Sequence, residues 1–226
     1  MSGNPDWPAH NVASAVVESM RRHKRKPSDF YPTPPEATVA LYPHLRLEPG
    51  CEVSDPACGT GEIARVFRAL GHPVIASDIR RTGYGTPHVD FLQTRSFPSV
   101  PIITNPPFAL AEDFIKRCVA FSPLTALLLK SNYWHTKSRR KLWRQFTPTA
   151  VYPVTWRLAF LKEERGDSPL MDCSWWVWRR GDPPLPDILL ERPPEDLVPD
   201  LSQVPLMVRV AKLTDAIDRL ADAYHG

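Results

Sequence analysis

The chain has 226 residues, 42% of them hydrophobic, and a formal net charge of only +3. That is enough apolar material for one sizeable core. No apolar run reaches the roughly 18 residues a membrane span needs. Its four cysteines form no C-x-x-C pair, which argues against a structural metal site or a disulfide scaffold. With no segment reading as a signal peptide, reduced thiols and a cytoplasmic location are expected.

The positive charge is clustered, and clustered cations point to a polyanionic partner. Arg21, Arg22, His23, Lys24, Arg25 and Lys26 form one block; Arg139, Arg140, Lys141 and Arg144 form another. In chain order, Val12, Ala15, Val16 and Ser19 share one face of a predicted helix from Asn11 to about Arg25, whose basic end suits the helix dipole. Pro34 and Pro35 open a second helix over Glu36–Leu45, with Thr33 placed to cap it. An alternation follows. Val53 marks a first strand that runs out to Asp55. Ile63, Val66, Phe67 and Leu70 share a helix face, with Gly71 as its C-terminal cap residue. Val74–Ser77 is a short strand ending at Asp78, "HVDFL" at 88–92 ends a weak third element, and "VPIITNPPF" carries a fourth strand. Ala111–Ala120 is a helix and Leu124–Leu129 a strongly apolar fifth strand.

Strands alternating with helices predict an α/β fold, a doubly wound and mostly parallel sheet with helices on both faces. The aromatic segments "VYPVTWRLAFL" and "DCSWWVWRR" read as an antiparallel hairpin closing its edge. Residues 181–205 are proline-rich and irregular. Leu206, Val210, Leu213, Ile217, Leu220 and Tyr224 form an amphipathic stripe, suited to packing on its own domain or to pairing two chains. The expected organisation is a basic N-terminal arm or short helix (1–27), a catalytic domain (28–180) and a proline-rich segment with a C-terminal helix (181–226).

Chemistry concentrates at the predicted strand ends. "DPACGTG" at 55–61 is a glycine loop between a strand and a helix, where Gly59 and Gly61 let a ligand approach the backbone. It is not a phosphate-binding P-loop, since no Gly-Lys-Ser/Thr follows. Asp55, Asp78 and Asp90 stand at or after three successive strand ends, where open α/β sheets bind ligands. Asp78 falls at the spacing that reaches ribose hydroxyls, and Asp90 is placed to accept from an exocyclic amine. The joint pattern predicts a nucleoside-type ligand.

With "NPPF" at 105–108 added, the sequence resembles the class I S-adenosylmethionine-dependent methyltransferases, in particular the branch that methylates adenine N6. The resemblance covers roughly residues 28–180. It implies the Rossmann-like class I fold, S-adenosyl-L-methionine as cofactor and no metal. "DPACGTG" matches the cofactor loop (Asp55, Ala57, Gly59, Gly61), and "SDI" the ribose acid Asp78 with Ile79. "VDF" matches an adenine-facing Asp90 with Phe91, and "DFYPTP" a segment over the methionine end (Phe30, Tyr31, Pro32, Thr33). "NPPF" matches the catalytic signature Asn105, Pro106, Pro107 and Phe108, with Asn105 also near the cofactor.

These residue types suit the reaction. The N6 lone pair of adenine is delocalised, and two acceptors, the Asn105 side-chain oxygen and the Pro106 carbonyl, draw its hydrogens out of the ring plane. Phe108 stacks on the base. Catalysis then comes mainly from orientation and preorganised electrostatics. A duplex substrate requires base flipping. Tyr133 and Trp134 are candidates to line the pocket, and Lys130, Lys137, Arg139 and Arg140 to contact phosphate. DNA is the expected partner. RNA adenine and, less favoured, a protein glutamine amide are the alternatives, and no separate target-recognition domain is visible.

Overall fold

The computed structural model describes residues 31–95, 97–134, 139–160, 171–185 and 188–198. The expected basic helix at 11–25, Phe30, Lys137, the polar tip of the hairpin and the stripe at 206–224 lie outside them.

Among the described residues, six strands form one sheet: β1 (Val53–Asp55), β2 (Val74–Ala76), β3 (Ile102–Thr104), β4 (Leu124–Lys130), β5 (Ala150–Pro153) and β6 (Cys173–Arg179), in the order β2-β1-β3-β4-β6-β5. β2, β1, β3 and β4 are parallel. β6 runs antiparallel to both its neighbours, with Leu124 opposite Arg179 and Ala150 opposite Val177.

The period of two along each strand sorts the core into two layers. Ile103, Ala126, Leu128, Tyr152 and Trp175 pack with α1 (Pro35–Leu41) and α2 (Glu62–Ala69), through Ala37, Leu41, Ile63 and Phe67. Ile102, Leu127, Leu129, Val151, Trp176 and Trp178 pack with α3 (Ala111–Phe121) and α4 (Arg139–Gln145), through Phe114, Ile115 and Leu142. Covering both faces explains why residues 124–129 are apolar or Thr throughout and wholly buried. The Trp175 indole N–H donates to the Ala37 carbonyl at 2.9 Å, pinning α1 to β6. The doubly wound, mostly parallel sheet with a C-terminal antiparallel hairpin is the expected architecture.

Local chemistry sets the element ends. α2 stops as Gly71 predicts: its φ is 86°, its N–H reaches the Arg68 carbonyl, and the His72 N–H reaches that of Phe67. That paired bonding is the Schellman termination. Two expectations need correction. No strand forms at 88–92. The Asp90 carboxylate accepts from the Leu92 N–H at 3.0 Å and its carbonyl from the N–H groups of Gln93 and Thr94, so a turn takes the hydrogen bonds a ladder would need. Nor does Thr33 cap the helix at 36–45. α1 begins at Pro35 with Pro34 in the capping position and no side-chain cap bond. The Thr33 hydroxyl is engaged elsewhere, by Asn105.

Candidate active site at the sheet switch point

From β1 the chain steps to β2 on one side, whereas β3 leads to β4 on the other. The carboxyl ends of β1 and β3 therefore flank the point where strand order reverses, the usual ligand crevice of open α/β sheets. Asp55 ends β1 and Thr104 ends β3. The Thr104 hydroxyl donates to Asp55 Oδ1 at 2.7 Å. The glycine loop and the Asn-Pro-Pro-Phe corner thus start from one bonded pair and open side by side.

Asp55 is 1% exposed, and its Oδ2 has no hydrogen-bond partner among the described residues. Burial drives its pKa up to about 7; hydrogen bonds from Thr104 and the Ala57 N–H pull it down, and the charges of Asp78 and Glu62 push it up. An unpartnered buried oxygen costs roughly 1–3 kcal/mol. The position is therefore suited to a cationic or hydrogen-donating ligand.

Asp78 is equally buried but saturated. Oδ2 accepts from the Gly59 N–H at 2.9 Å and Arg80 Nη2 at 3.0 Å; Oδ1 accepts from the Arg80 N–H at 2.8 Å and Nε at 3.0 Å. Desolvation opposes these bonds, yet they and the Arg80 charge hold its pKa below the usual value. The neighbouring Ile79 projects outward, 59% exposed. Gly61 has φ 90°, and a Cβ there would lie 2.4 Å from the Tyr84 ring. The glycine is thus required by the Tyr84 side chain, over whose ring the Arg65 guanidinium lies 4.7 Å from the centroid.

The Asn105 side chain is oriented by its donors. Nδ2 donates to the Tyr31 carbonyl and the Thr33 hydroxyl, both at 3.0 Å. A carbonyl only accepts, so the nitrogen must face it and Oδ1 must face away. Among the described residues neither Oδ1 nor the Pro106 carbonyl accepts a bond, whereas the Pro107 carbonyl is taken by the Leu110 N–H at 2.9 Å. Pro106 is buried; Pro107 and Phe108 are half-buried. The Tyr31 ring stacks on Phe108 at 5.8 Å and meets Phe160 edge-on at 5.5 Å. Lys130 Nζ stands 4.9 Å from the Phe108 ring centroid. Both amide donors are fixed by the chain, leaving two adjacent acceptors beside an aromatic face.

The other expected residues divide. Pro32 flanks the tether and is half-buried. Asp90 is half-buried in its own turn, and the Phe91 ring lies in the α3 core against Phe97 and Phe114. Tyr133 is buried against Trp143 and Trp176, with the Arg139 guanidinium 3.6 Å from its ring centroid. Trp134 is 41% exposed, and Arg140 is exposed. Phe160, Arg80 and Tyr84 were not foreseen. Arg80 follows Asp78 by two residues, a local signal; Phe160 reaches the corner only through the β5–β6 pairing.

No protein-family model and no curated protein matches the chain. Solved structures do. A candidate RNA methyltransferase from Pyrococcus horikoshii is 15% identical with a TM-score of 0.52, covering 73% of this chain and 96% of that one. A modification subunit of a candidate type I restriction enzyme from Vibrio vulnificus is 13% identical with a TM-score of 0.55, over 92% of this chain and 57% of that one. The type I restriction-modification methyltransferase subunit from Streptococcus thermophilus is 10% identical with a TM-score of 0.55, over 91% and 56%. This chain therefore spans about half of the length of the type I subunits it matches. These likenesses establish the fold, that of the class I methyltransferases.

Proposed function

We propose that the protein is an S-adenosylmethionine-dependent methyltransferase acting on the exocyclic N6 amino group of adenine in DNA. The observation that carries this reading is the Asn105 tether: with both amide hydrogens held by Tyr31 and Thr33, Oδ1 is left as an oriented acceptor next to the Pro106 carbonyl. Two acceptors at one corner match an –NH2 group, which offers two hydrogens.

The residues at the switch point fit the cofactor. The unpartnered Asp55 Oδ2 is an acceptor for a cationic amino-acid tail, the exposed Ile79 is an apolar platform for a base, and Asp78 is the acid for ribose hydroxyls. Those hydroxyls would replace the Arg80 guanidinium on Asp78. Bound there, the cofactor supplies an electrophilic methyl group. The chain's own part is to polarise and orient: Asn105 and Pro106 take the amine hydrogens, Phe108 holds the ring, and the prolines fix the carbonyl that accepts. No strong base is needed, because the nitrogen's proton becomes acidic as the new bond forms and is lost to bulk water.

Asn105→Ala is expected to lower methyl transfer about a hundredfold or more, as removal of one preorganised polar group does, while calorimetry finds cofactor binding retained. The assay uses methyl-labelled cofactor with duplex DNA, single-stranded DNA, total RNA and protein lysate. Label on N6 of adenine in DNA supports the proposal. Label in RNA or glutamine reassigns the substrate, and undiminished turnover in the variant refutes the clamp.

A further inference from the structure

Beside the clamp lies a surface that methyl transfer itself does not need. β4 ends at Lys130, next to Phe108, and a 3-10 turn follows over Ser131–Trp134. Such a turn rises about 2 Å per residue, so Trp134 stands about 8 Å on from Lys130. That is roughly two nucleotide rises of 3.4 Å. Trp134 is 41% exposed but rigidly backed. Its ring centroid lies 4.4 Å from that of Trp176 and 4.9 Å from that of Trp143, and Trp143 stacks on Trp176 at 4.8 Å and 17°. Burying one large apolar face while displaying the rest wastes no packing and leaves an indole surface fixed in place.

Next to it, α4 reads Arg-Arg-Lys-Leu-Trp-Arg-Gln and contains no acid. Leu142 and Trp143 face the core; Arg140, Lys141 and Arg144 are exposed, and none forms an ion pair among the described residues. Three of the cations stand in the first turn, where the helix dipole opposes them. Among the described residues no intramolecular partner accounts for the charge of Arg140, Lys141 and Arg144; a polyanion lying across the helix does. Cations that follow a backbone beside a fixed aromatic platform are the combination by which single-stranded nucleic acids are held. A paired duplex offers no free base face to an indole.

We propose that Trp134 with Arg140, Lys141 and Arg144 forms a subsite for an unpaired strand, stacking a base flanking the target while the cations take its phosphates. This names the form of substrate for the function proposed above and rests on that reading. It has its own readout, because oligothymidine and oligouridine contain no adenine and cannot be methylated on N6. Anisotropy would measure binding of the full-length protein to fluorescent 20-mers of each, and to a duplex of equal length, between 50 and 200 mM salt. The expected results are tighter binding of at least one single strand than of the duplex, a loss of about tenfold or more for Trp134→Ala, and a salt slope shallower by about two for the Arg140, Lys141 and Arg144 triple alanine variant. Trp134→Phe, which preserves backing and stacking, should bind nearly as wild type, separating the contact from a folding defect. Duplex preferred over both strands, or Trp134→Ala binding unchanged, overturns the subsite. If oligothymidine binds as expected while no substrate accepts label, the subsite stands and the methyl-transfer reading fails.

Discussion

The adjacent ends of β1 and β2 carry carboxylates of equal burial and opposite character. Asp55 and Asp78 are each 1% exposed. Asp78 has four donor contacts and an arginine, and its pKa is lowered. Asp55 has one side-chain donor and an orphan oxygen, and its pKa rises to about 7. Burial alone does not set a carboxylate's charge; the donors that replace water do. Asp78 is satisfied by groups of the chain itself, whereas Asp55 Oδ2 has no partner among the described residues.

Substitutions test that contrast from both ends. Asp55→Asn should have the largest effect and should stabilise. A group whose pKa is raised by folding contributes its full stability below its unfolded pKa, here 3.8, and loses it as pH rises through about 7. At about 1.4 kcal/mol per unit, ionised Asp55 costs about 4 kcal/mol at pH 8. Urea denaturation should therefore show the Asn variant more stable by that order at pH 8, with the gain vanishing toward pH 4; parallel pH profiles would contradict the orphan carboxylate. By the same linkage, a cationic ligand should bind wild type more tightly as pH rises through about 7; below that pH its binding should release the Asp55 proton, which calorimetry in two buffers detects, and above it the release should vanish. Asp78→Asn should act the other way, destabilising by about 2 kcal/mol. That lies below the 3–5 of a fully buried pair because Arg80 is 31% exposed. Its stability contribution is present above pH 3.8 and lost as pH falls through the lowered value. Smallest is Thr104→Val, which removes the only side-chain donor to Asp55 among the described residues. It should cost about 1 kcal/mol at pH 8 and move the stability transition to higher pH.

The features legible in the sequence were those with a short period or a local grammar. β4 showed as a strongly apolar run interrupted by Thr125 alone up to Leu129, α2 as a 3.6-residue stripe closed by Gly71, and the glycine loop and Asn-Pro-Pro-Phe by their residue types. What escaped depends on partners far along the chain. Thr33 has the composition of a cap, yet its hydroxyl serves Asn105, 72 residues away. The Tyr84 ring beside Gly61 is a further contact that spacing does not reveal, 23 residues along the chain. Residues 88–92 look strand-like until the Asp90 side chain competes for the backbone. Alternation sorts Trp175 from Trp176 and Trp178, but not which face meets α1.

The position of β6 has a consequence for how the chain is made. β6 sits in the interior of the sheet although it is the last strand in order among the described residues, and Lys130 at the end of β4 pairs with Cys173, 43 residues later. Until that segment leaves the ribosome, β4 has an unpaired, strongly apolar margin of the kind that recruits other strands. A nascent or prematurely ended chain stopping before Cys173 therefore leaves that margin of β4 without its β6 partner, and completion of one strand covers it.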